Sequence, residues 1–480
     1  MTTKKLQIAV LGASGYVGGR LVPRLIEQGY SVRCIARHPE KLISRNWPNT
    51  EVVYGDVFHQ NSLITALQGI DVLYYLVHSM QGAKNFEELD SMAAINCANA
   101  ARTAAVERII YLGGLAKPTS KLSAHLKSRQ EVGQLLRKTG VKVTELRASI
   151  IIGSGSASFE IIRDLVRTLP IMITPRWVRS LCEPIAIQNV LDYLLACLEE
   201  PRTTNQILEI GGGEILSYKN MMKIVAELMG KRILMIPVPV LTPRLSGYWL
   251  NIVTSVPMSI AYPLVEGLRN DSVTSEQRIR QWIRVPLLSF KEAVLKALEE
   301  DKQGLMTSRW TEAEKMKSDS TTPDYQKTFQ DQRKIETEIS AEKVFQIIQK
   351  IGGSSGWYYG NWLWKWRGIL DRMIGGVGLR RGRRHPVDIR IGDAIDFWRV
   401  EAFQPGTMLR LKAEMKLPGH AWLEFRVQSL SPHKSLFLQT ATFRPSNWVG
   451  FIYWYTVLPL HFLVFRNMAK NIIRRASDEI

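Results

Sequence analysis

The stretch Val10-Leu11-Gly12-Ala13-Ser14-Gly15-Tyr16-Val17-Gly18, entered from the apolar run Leu6 to Val10, decides the fold. It reads as a glycine-rich turn joining a first strand to a first helix. Gly12 permits the sharp turn, Gly15 keeps side chains away from an approaching pyrophosphate, and Gly18 lets helix and strand pack closely. Backbone N–H groups of Ser14 to Gly18 and the positive end of the helix then face an anion.

Working outward, the pattern repeats as strand and helix units. A first helix over Gly19 to Gln28, closed by Gly29, precedes an apolar strand at Ser31 to Ala36. Further strands are predicted at Glu51 to Tyr54, Val72 to Val77, Arg108 to Leu112 and Val141 to Ile152, with helices between them. Alternation at this spacing predicts an α/β fold, a doubly wound parallel Rossmann sheet. Ligands of such sheets lie beyond the carboxyl ends of the strands, where Gly12, Arg37, Asp56 and His78 all fall. The second strand ends in Arg37 instead of an acidic residue, which suits a ribose 2′-phosphate and favours NADP(H) over NAD(H). Arg33 and Arg37 as plain surface charges are the alternative.

Gly12-xx-Gly15-xx-Gly18, Arg37, Gly55-Asp56-Val57 and Tyr75-Leu76-Val77-His78-Ser79-Met80 together resemble the atypical, extended branch of the short-chain dehydrogenase/reductases, near its NmrA-like members. His125-Leu126-Lys127-Ser128-Arg129, Pro175 to Ser180 and Thr254-Ser255-Val256-Pro257 extend the likeness to the bacterial NAD(P)-binding proteins of the YbjT type. The resemblance implies that Asp56 and Val57 meet the adenine and that Leu76, Val77 and His78 line the wall beside ribose and nicotinamide. The competing readings are a helix-capping turn for Asp56 and a packed strand-end histidine for His78.

That superfamily's reductases use a Tyr-xxx-Lys pair with a serine, and this chain departs from the pattern. His125 and Arg129 stand at the expected place, one turn apart on a helix face, and the strand end reads Leu112-Gly113-Gly114 with no hydroxyl. A histidine can move a proton near neutral pH and an arginine can clamp a ribose or phosphate, so His125 and Arg129 are the candidate catalytic residues. The fixed cation favours a neutral imidazole, which suits a base better than an acid. Whether turnover occurs stays open, since both residues could only position the cofactor or lie on a solvated face. No metal-ligand or nucleophile-elbow motif is present, and Cys34, Cys97, Cys182 and Cys197 read as reduced core residues.

At 480 residues and 45% hydrophobic content the chain is large enough for two cores. The expected organisation is a Rossmann domain over 1–300 with a substrate-cleft part at about 235–300, a polar linker over 301–334 densest from Thr307, and a second domain over 335–480. A predicted strand Ile335 to Ile339, a Ser340-capped helix to Ile351, four later strands and a long terminal helix give the second domain an α+β order similar to the helix-grip fold of the START and Bet v 1 class. In that helix Leu460, Val464, Met468 and Ile472 form one stripe and Arg466, Lys470 and Arg474 another.

A formal charge of +19 asks for an acidic partner. No nucleic-acid module appears, leaving a nucleotide or an anionic membrane face. The basic run Leu379 to His385 reads as a solvated loop before a lipid contact, and the aromatic run Gly356 to Trp366 as core before a ligand pocket or membrane interface. Trp448 to Phe465 carries no ionised side chain but is interrupted by Pro459, so a membrane span, a membrane-surface helix and soluble packing all fit. Met1 to Lys5 runs straight into the first strand, which leaves no room for a signal peptide and implies the cytoplasm, or the cytoplasmic face of the inner membrane. The reading is an NADP(H)-binding reductase-like protein for an apolar carbonyl or quinone, with a hydrophobic small molecule or lipid as possible passenger. A non-catalytic NADP(H) redox sensor is the rival.

Overall fold

A computed structural model describes residues 6–78, 86–116, 122–238, 253–254, 256, 258–268, 270–303, 306–313, 328–374, 376–379 and 381–478. Ser79, Met80, Ser255, Pro257, Arg380 and all of 239–252 lie outside the described residues. The chain forms two compact units, Met1–Glu314 and Lys315–Ile480.

In the first unit, Gln7–Leu11 (β1) is buried at every position after Gln7 and leads through the glycine turn into Gly18–Glu27 (α1). Ser31–Ala36 (β2), Thr50–Tyr54 (β3) and Val72–Tyr75 (β4) follow. Phe86–Thr103 (α2) turns a row of alanines and Cys97 inward, small enough to let the helix lie close against its neighbours. Arg108–Gly114 (β5), Ala124–Arg137 (α3), Lys142–Ala148 (β6) and Ile207–Ile210 (β7) complete the main frame. The seven strands are all parallel, in the order β7-β6-β5-β4-β1-β2-β3. The order reverses between β1 and β4, so the crevice at their carboxyl ends is the binding place of this topology. All four cysteines are buried thiols; burial pushes Cys34, Cys97 and Cys182 up to about 12 and Cys197 to about 11, which makes them poor nucleophiles.

The second unit is a six-stranded antiparallel sheet. Phe329–Thr337 (β8) is followed by Ala341–Gln349 (α4), Asn361–Met373 (α5), Ala394–Ile395 (β9) and Trp398–Gln404 (β10). Met408–Ala413 (β11), Gly419–Ser431 (β12), Lys434–Pro445 (β13) and Trp448–Asp478 (α6) close it. The sheet order is β8-β13-β12-β11-β10-β9. Val344, Phe345 and Ile348 of α4 and Met468 and Ile472 of α6 pack with Phe425 and Phe437 of the sheet in one core.

Several expectations need correction. The polar linker is shorter than 301–334: Asp301 to Gln303 continue the Phe290–Gln303 helix, Ser308 to Trp310 are buried in the first unit, and β8 already begins at Phe329. Arg309 and Trp310 are held there because both donate to the buried carboxylate of Glu160. The basic run is not a solvated loop, since Arg381 is buried against Glu414 and Arg384 against Asp393. Leu460 leaves the buried stripe and faces outward, and Pro459 lies inside an unbroken helix. The aromatic run divides: Trp357 is core, whereas Trp362 and Trp366 are 64% and 60% exposed.

Candidate functional site

The glycine turn fits a bound pyrophosphate at each of its three glycines. Gly12 has φ +98°, and a Cβ there would lie 2.8 Å from the Leu76 carbonyl group, so this residue lets β1 run tightly against the end of β4. A Cβ on Gly18 would sit 2.3 Å from the Gly12 carbonyl oxygen, inside the turn itself. Gly15 donates its N–H to that same oxygen at 2.9 Å and meets nothing closer than 3.2 Å on its open side. No side chain caps the start of α1; the Gly19 N–H donates to the Gly15 carbonyl at 2.9 Å and the Arg20 N–H to the Val17 carbonyl at 3.1 Å, so an anion would be met by the turn just ahead of them. Ser14 and Val17 belong to this turn. Tyr16 directs its buried hydroxyl toward Gly153, and it has no hydrogen-bond partner among the described residues, so Tyr16 offers the loop its backbone only.

Arg37 follows β2 directly and is exposed at the sheet's carboxyl edge. Arg33 does not join it: its guanidinium binds Glu51 at 2.6 Å and the Ala66 and Gln68 carbonyls. A second cation emerges instead. Arg45 stacks on Trp47 at 4.9 Å and donates to the Ser14 carbonyl at 3.3 Å, beside the glycine turn. Nothing in the sequence marked it, because it reaches the turn from a short helix thirty-one residues on. Asp56 caps a turn, accepting from the Phe58 N–H at 3.0 Å and facing His59 at 3.3 Å, while Val57 is buried beside it. The Asp56 side chain thus closes the turn ahead of the Gln60–Ala66 helix, whose N-cap is His59, and does not cap that helix itself.

Beyond β4 the chain assembles a polar line. Leu76 keeps a ladder bond to the Leu11 carbonyl, and Val77 accepts weakly from Arg129 at 3.5 Å. His78 then contacts Asp90 through Nδ1 at 3.0 Å and His125 through Nε2 at 3.1 Å. Asp90, one turn into α2, also accepts from Ser128 at 3.0 Å. Ser123 caps α3 by accepting the Leu126 N–H, which fixes His125 in the first turn with Ser128 and Arg129 one turn on. Arg129 lies over the Tyr111 ring at 4.9 Å and donates to the Leu112 carbonyl, so it is a tethered cation at the end of β5.

Electrostatics follow from this packing. Burial lowers the His78 pKa, and Asp90 works against that effect. Burial, His78 and Arg129 together hold His125 well below the usual histidine range, again opposed by Asp90. Both rings are neutral at pH 7. Asp90 as a carboxylate only accepts, so His78 carries its proton on Nδ1 and presents a bare Nε2 to the Nδ1–H of His125. His125 Nε2 is left as the ring nitrogen without a proton in that arrangement. Asp90 and Ser128 escaped the sequence reading; their signal is spacing alone, a carboxylate one helix after the strand-end histidine and a hydroxyl three residues after His125. Among the described residues no cluster of metal-ligating side chains occurs.

A parallel sheet reversing at β1 and β4, with a glycine cradle on one side of the crevice and a titratable line on the other, defines an NAD(P)-binding Rossmann domain of the oxidoreductase type. Residues 12–164 match the NAD(P)H-binding family model, and residues 326–468 match a protein of unknown function family, DUF2867. The divinyl chlorophyllide a 8-vinyl-reductase of Cucumis sativus is 26% identical over 255 residues, 49% of this chain and 60% of that protein. The 3-beta-hydroxysteroid dehydrogenase of Mycolicibacterium neoaurum is 31% identical over 115 residues, 22% of this chain and 31% of that one. The chain thus spans well under two thirds of these curated relatives. The crystal structure of Citrobacter sp. triphenylmethane reductase complexed with NADP(H) shares the fold at a TM-score of 0.51, with 20% identity, 61% of this chain and all of that one covered. The first unit is thus similar, over residues 12–164, to NAD(P)H-binding proteins, and its relatives are reductases and dehydrogenases of that kind.

Proposed function

We propose that the chain is an NADP(H)-dependent reductase acting in the cytoplasm on an apolar carbonyl or quinone-like compound. The observation that carries this is the hydrogen-bonded line Asp90–His78–His125, set two residues beyond the Leu76 backbone that packs on Gly12. Bound NADP(H) would supply the hydride. The chain's part is to hold the pyrophosphate at Gly12 to Gly18, to bind the 2′-phosphate at Arg37 with Arg45 nearby, and to move one proton at His125 Nε2. Arg129 orients the ribose side of the crevice as a fixed charge. The absence of an acid after β2 and the two cations there support NADP(H) over NAD(H). Two relatives named for a chlorophyllide and a hydroxysteroid, both large and largely apolar ring systems, support the substrate class.

One observation favours the rival sensor: both imidazoles rest neutral, so no proton donor is loaded before substrate arrives. Spectrophotometric NADPH oxidation against a panel of quinones and apolar ketones separates the two. A reductase consumes NADPH and loses rate but not NADPH affinity on His125→Ala. Tight NADPH binding with no turnover on any acceptor, and nucleotide-dependent proteolysis at residues 314–327, would instead establish the sensor.

A further inference from the structure

Helix α6 changes character along its outward face. Its inner face is anchored near the start and through the second half: Trp454 stacks on Phe329 and Phe443 of the sheet at 5.2 and 5.7 Å, and Val464, Met468 and Ile472 are buried further on. The outward face of the first half carries Trp448, Ile452, Tyr455, Phe462 and Leu463, all exposed. At Arg466 the same face turns basic and continues with Lys470 and Arg474. One carboxylate, Asp478, occurs in the 31 residues. Only 22% of the helix's most apolar window is buried, unlike the core helix of a water-soluble domain.

Helix α5 repeats the theme. Trp362, Trp366, Leu370 and Met373 are exposed at helical spacing, Met373 at 78%, with Lys365 exposed beside them. The two helices flank one cavity of about 730 Å³, lined by Ile374 after α5 and by Val449 and Ile452 of α6. Arg367, Lys412 and Lys416 also line it, alongside Glu401 and Glu414.

We infer that the second unit docks on an anionic phospholipid bilayer through the α5 face and the first half of α6. The apolar half of α6 is about 27 Å long at the helical rise and, lying in the plane, sinks its rings to the acyl boundary. Tryptophans and tyrosines are the side chains that favour that depth. Arg466, Lys470 and Arg474 then meet lipid phosphates, each attracted by the surface potential. A span is the poorer solution, because crossing the bilayer would strip Trp454, Val464 and Phe465 from the sheet. The inference is independent of the reductase reading and stands or falls without it.

The test is co-sedimentation of the full-length protein with phosphatidylcholine vesicles and with vesicles containing phosphatidylglycerol, following tryptophan emission. Binding to the anionic vesicles, a blue shift, and release by high salt are expected. Arg466→Gln/Lys470→Gln/Arg474→Gln should weaken binding on the order of a hundredfold at low salt, about fivefold per cation. Trp362→Ser/Trp366→Ser should weaken it on the order of tenfold for each ring withdrawn, with unchanged NADPH binding and thermal melting as evidence of folding. Equal affinity for both vesicles, full retention by either variant, or resistance to alkaline carbonate would overturn the proposal. So would a dimer in buffer whose tryptophans are already blue-shifted, since a second copy would then own the face.

Discussion

Asp90→Asn is the perturbation that best isolates the polar line from the fold around it. The carboxylate is 4% exposed and accepts from His78 Nδ1 and Ser128 at 3.0 Å each. An asparagine has the same shape, and its one oxygen can take the place of Oδ2, which both partners share, so the geometry survives while the charge does not. Exchanging a charge-assisted bond for a neutral one costs about 1 to 1.5 kcal/mol, roughly a tenfold effect. That penalty falls on any state in which an imidazole is cationic, because Asp90 raises the proton affinity of both rings. Two measurements follow.

In histidine-ring NMR of the resting protein, both rings should titrate below the ordinary range. In the variant they should titrate lower still. In steady-state assays, kcat for NADPH-dependent reduction should fall about tenfold with the NADPH Kd unchanged. The pH dependence has a fixed sign: reduction draws on protonated His125 and speeds up as pH falls toward its depressed pKa, whereas the oxidative direction needs the neutral ring and is flat at neutrality. Removing His125 altogether should cost about 10²- to 10⁴-fold. An Asp90→Asn enzyme with wild-type rate and an unshifted profile would refute the relay, even if turnover itself were established.

Gly18→Ala forces a Cβ to 2.3 Å from the Gly12 oxygen, so α1 must retreat by about 1 Å at a cost of about 1 to 3 kcal/mol; isothermal titration should show at least tenfold weaker NADPH binding. Arg37→Glu should lower the preference for NADPH over NADH by roughly ten- to a hundredfold, the worth of a charge-assisted bond, and unchanged preference removes Arg37 from cofactor selection. Burial alone would push the Glu160 carboxyl up, but Arg309 and Arg163 overcome it and hold the pKa at about 2 against an ordinary 4.5. The resulting stability, about 3 kcal/mol, is present above pH 4.5 and lost as pH falls toward 2; urea unfolding should show this loss in the wild type and not in Glu160→Gln, which is destabilised already at pH 7.

What the chain disclosed beforehand was local in its physics. A strand's apolar run, the glycines of one turn and the i,i+4 spacing of His125 and Arg129 are set by neighbours in sequence, and the parallel sheet follows from their alternation. Long-range pairing stayed hidden. Arg33 and Arg37 look alike in the sequence, yet register places Arg33 opposite Glu51 and leaves Arg37 free of the sheet. Arg381 and Arg384 look solvated until β11 and the Asp393 turn bring carboxylates to them. Residues 308–310 look like linker because the partner that buries them, Glu160, is far away in the chain. Asp90 belongs to the same class: its role exists only once α2 folds back over the end of β4.

In the proposed reductase, two histidines and a carboxylate in place of a tyrosine and lysine pair would change when the proton becomes available. Asp90 and Arg129 balance in charge, so with both imidazoles neutral this polar line carries no net charge and His125 rests as the neutral ring. Negative charge developing on an acceptor oxygen beside His125 reverses that balance, since an opposite charge within a few ångströms raises an imidazole's proton affinity while the buried setting strengthens the effect. In the proposed reductase the ring therefore takes up a proton from solvent at Nε2 as the acceptor comes to need it. A phenol held ionisable by a lysine is loaded in advance; in the proposed reductase this line would be loaded by its substrate. The consequence is measurable: an anionic, transition-state-like inhibitor bound with NADP⁺ should raise the His125 titration above its resting position in the wild type, and by less in Asp90→Asn.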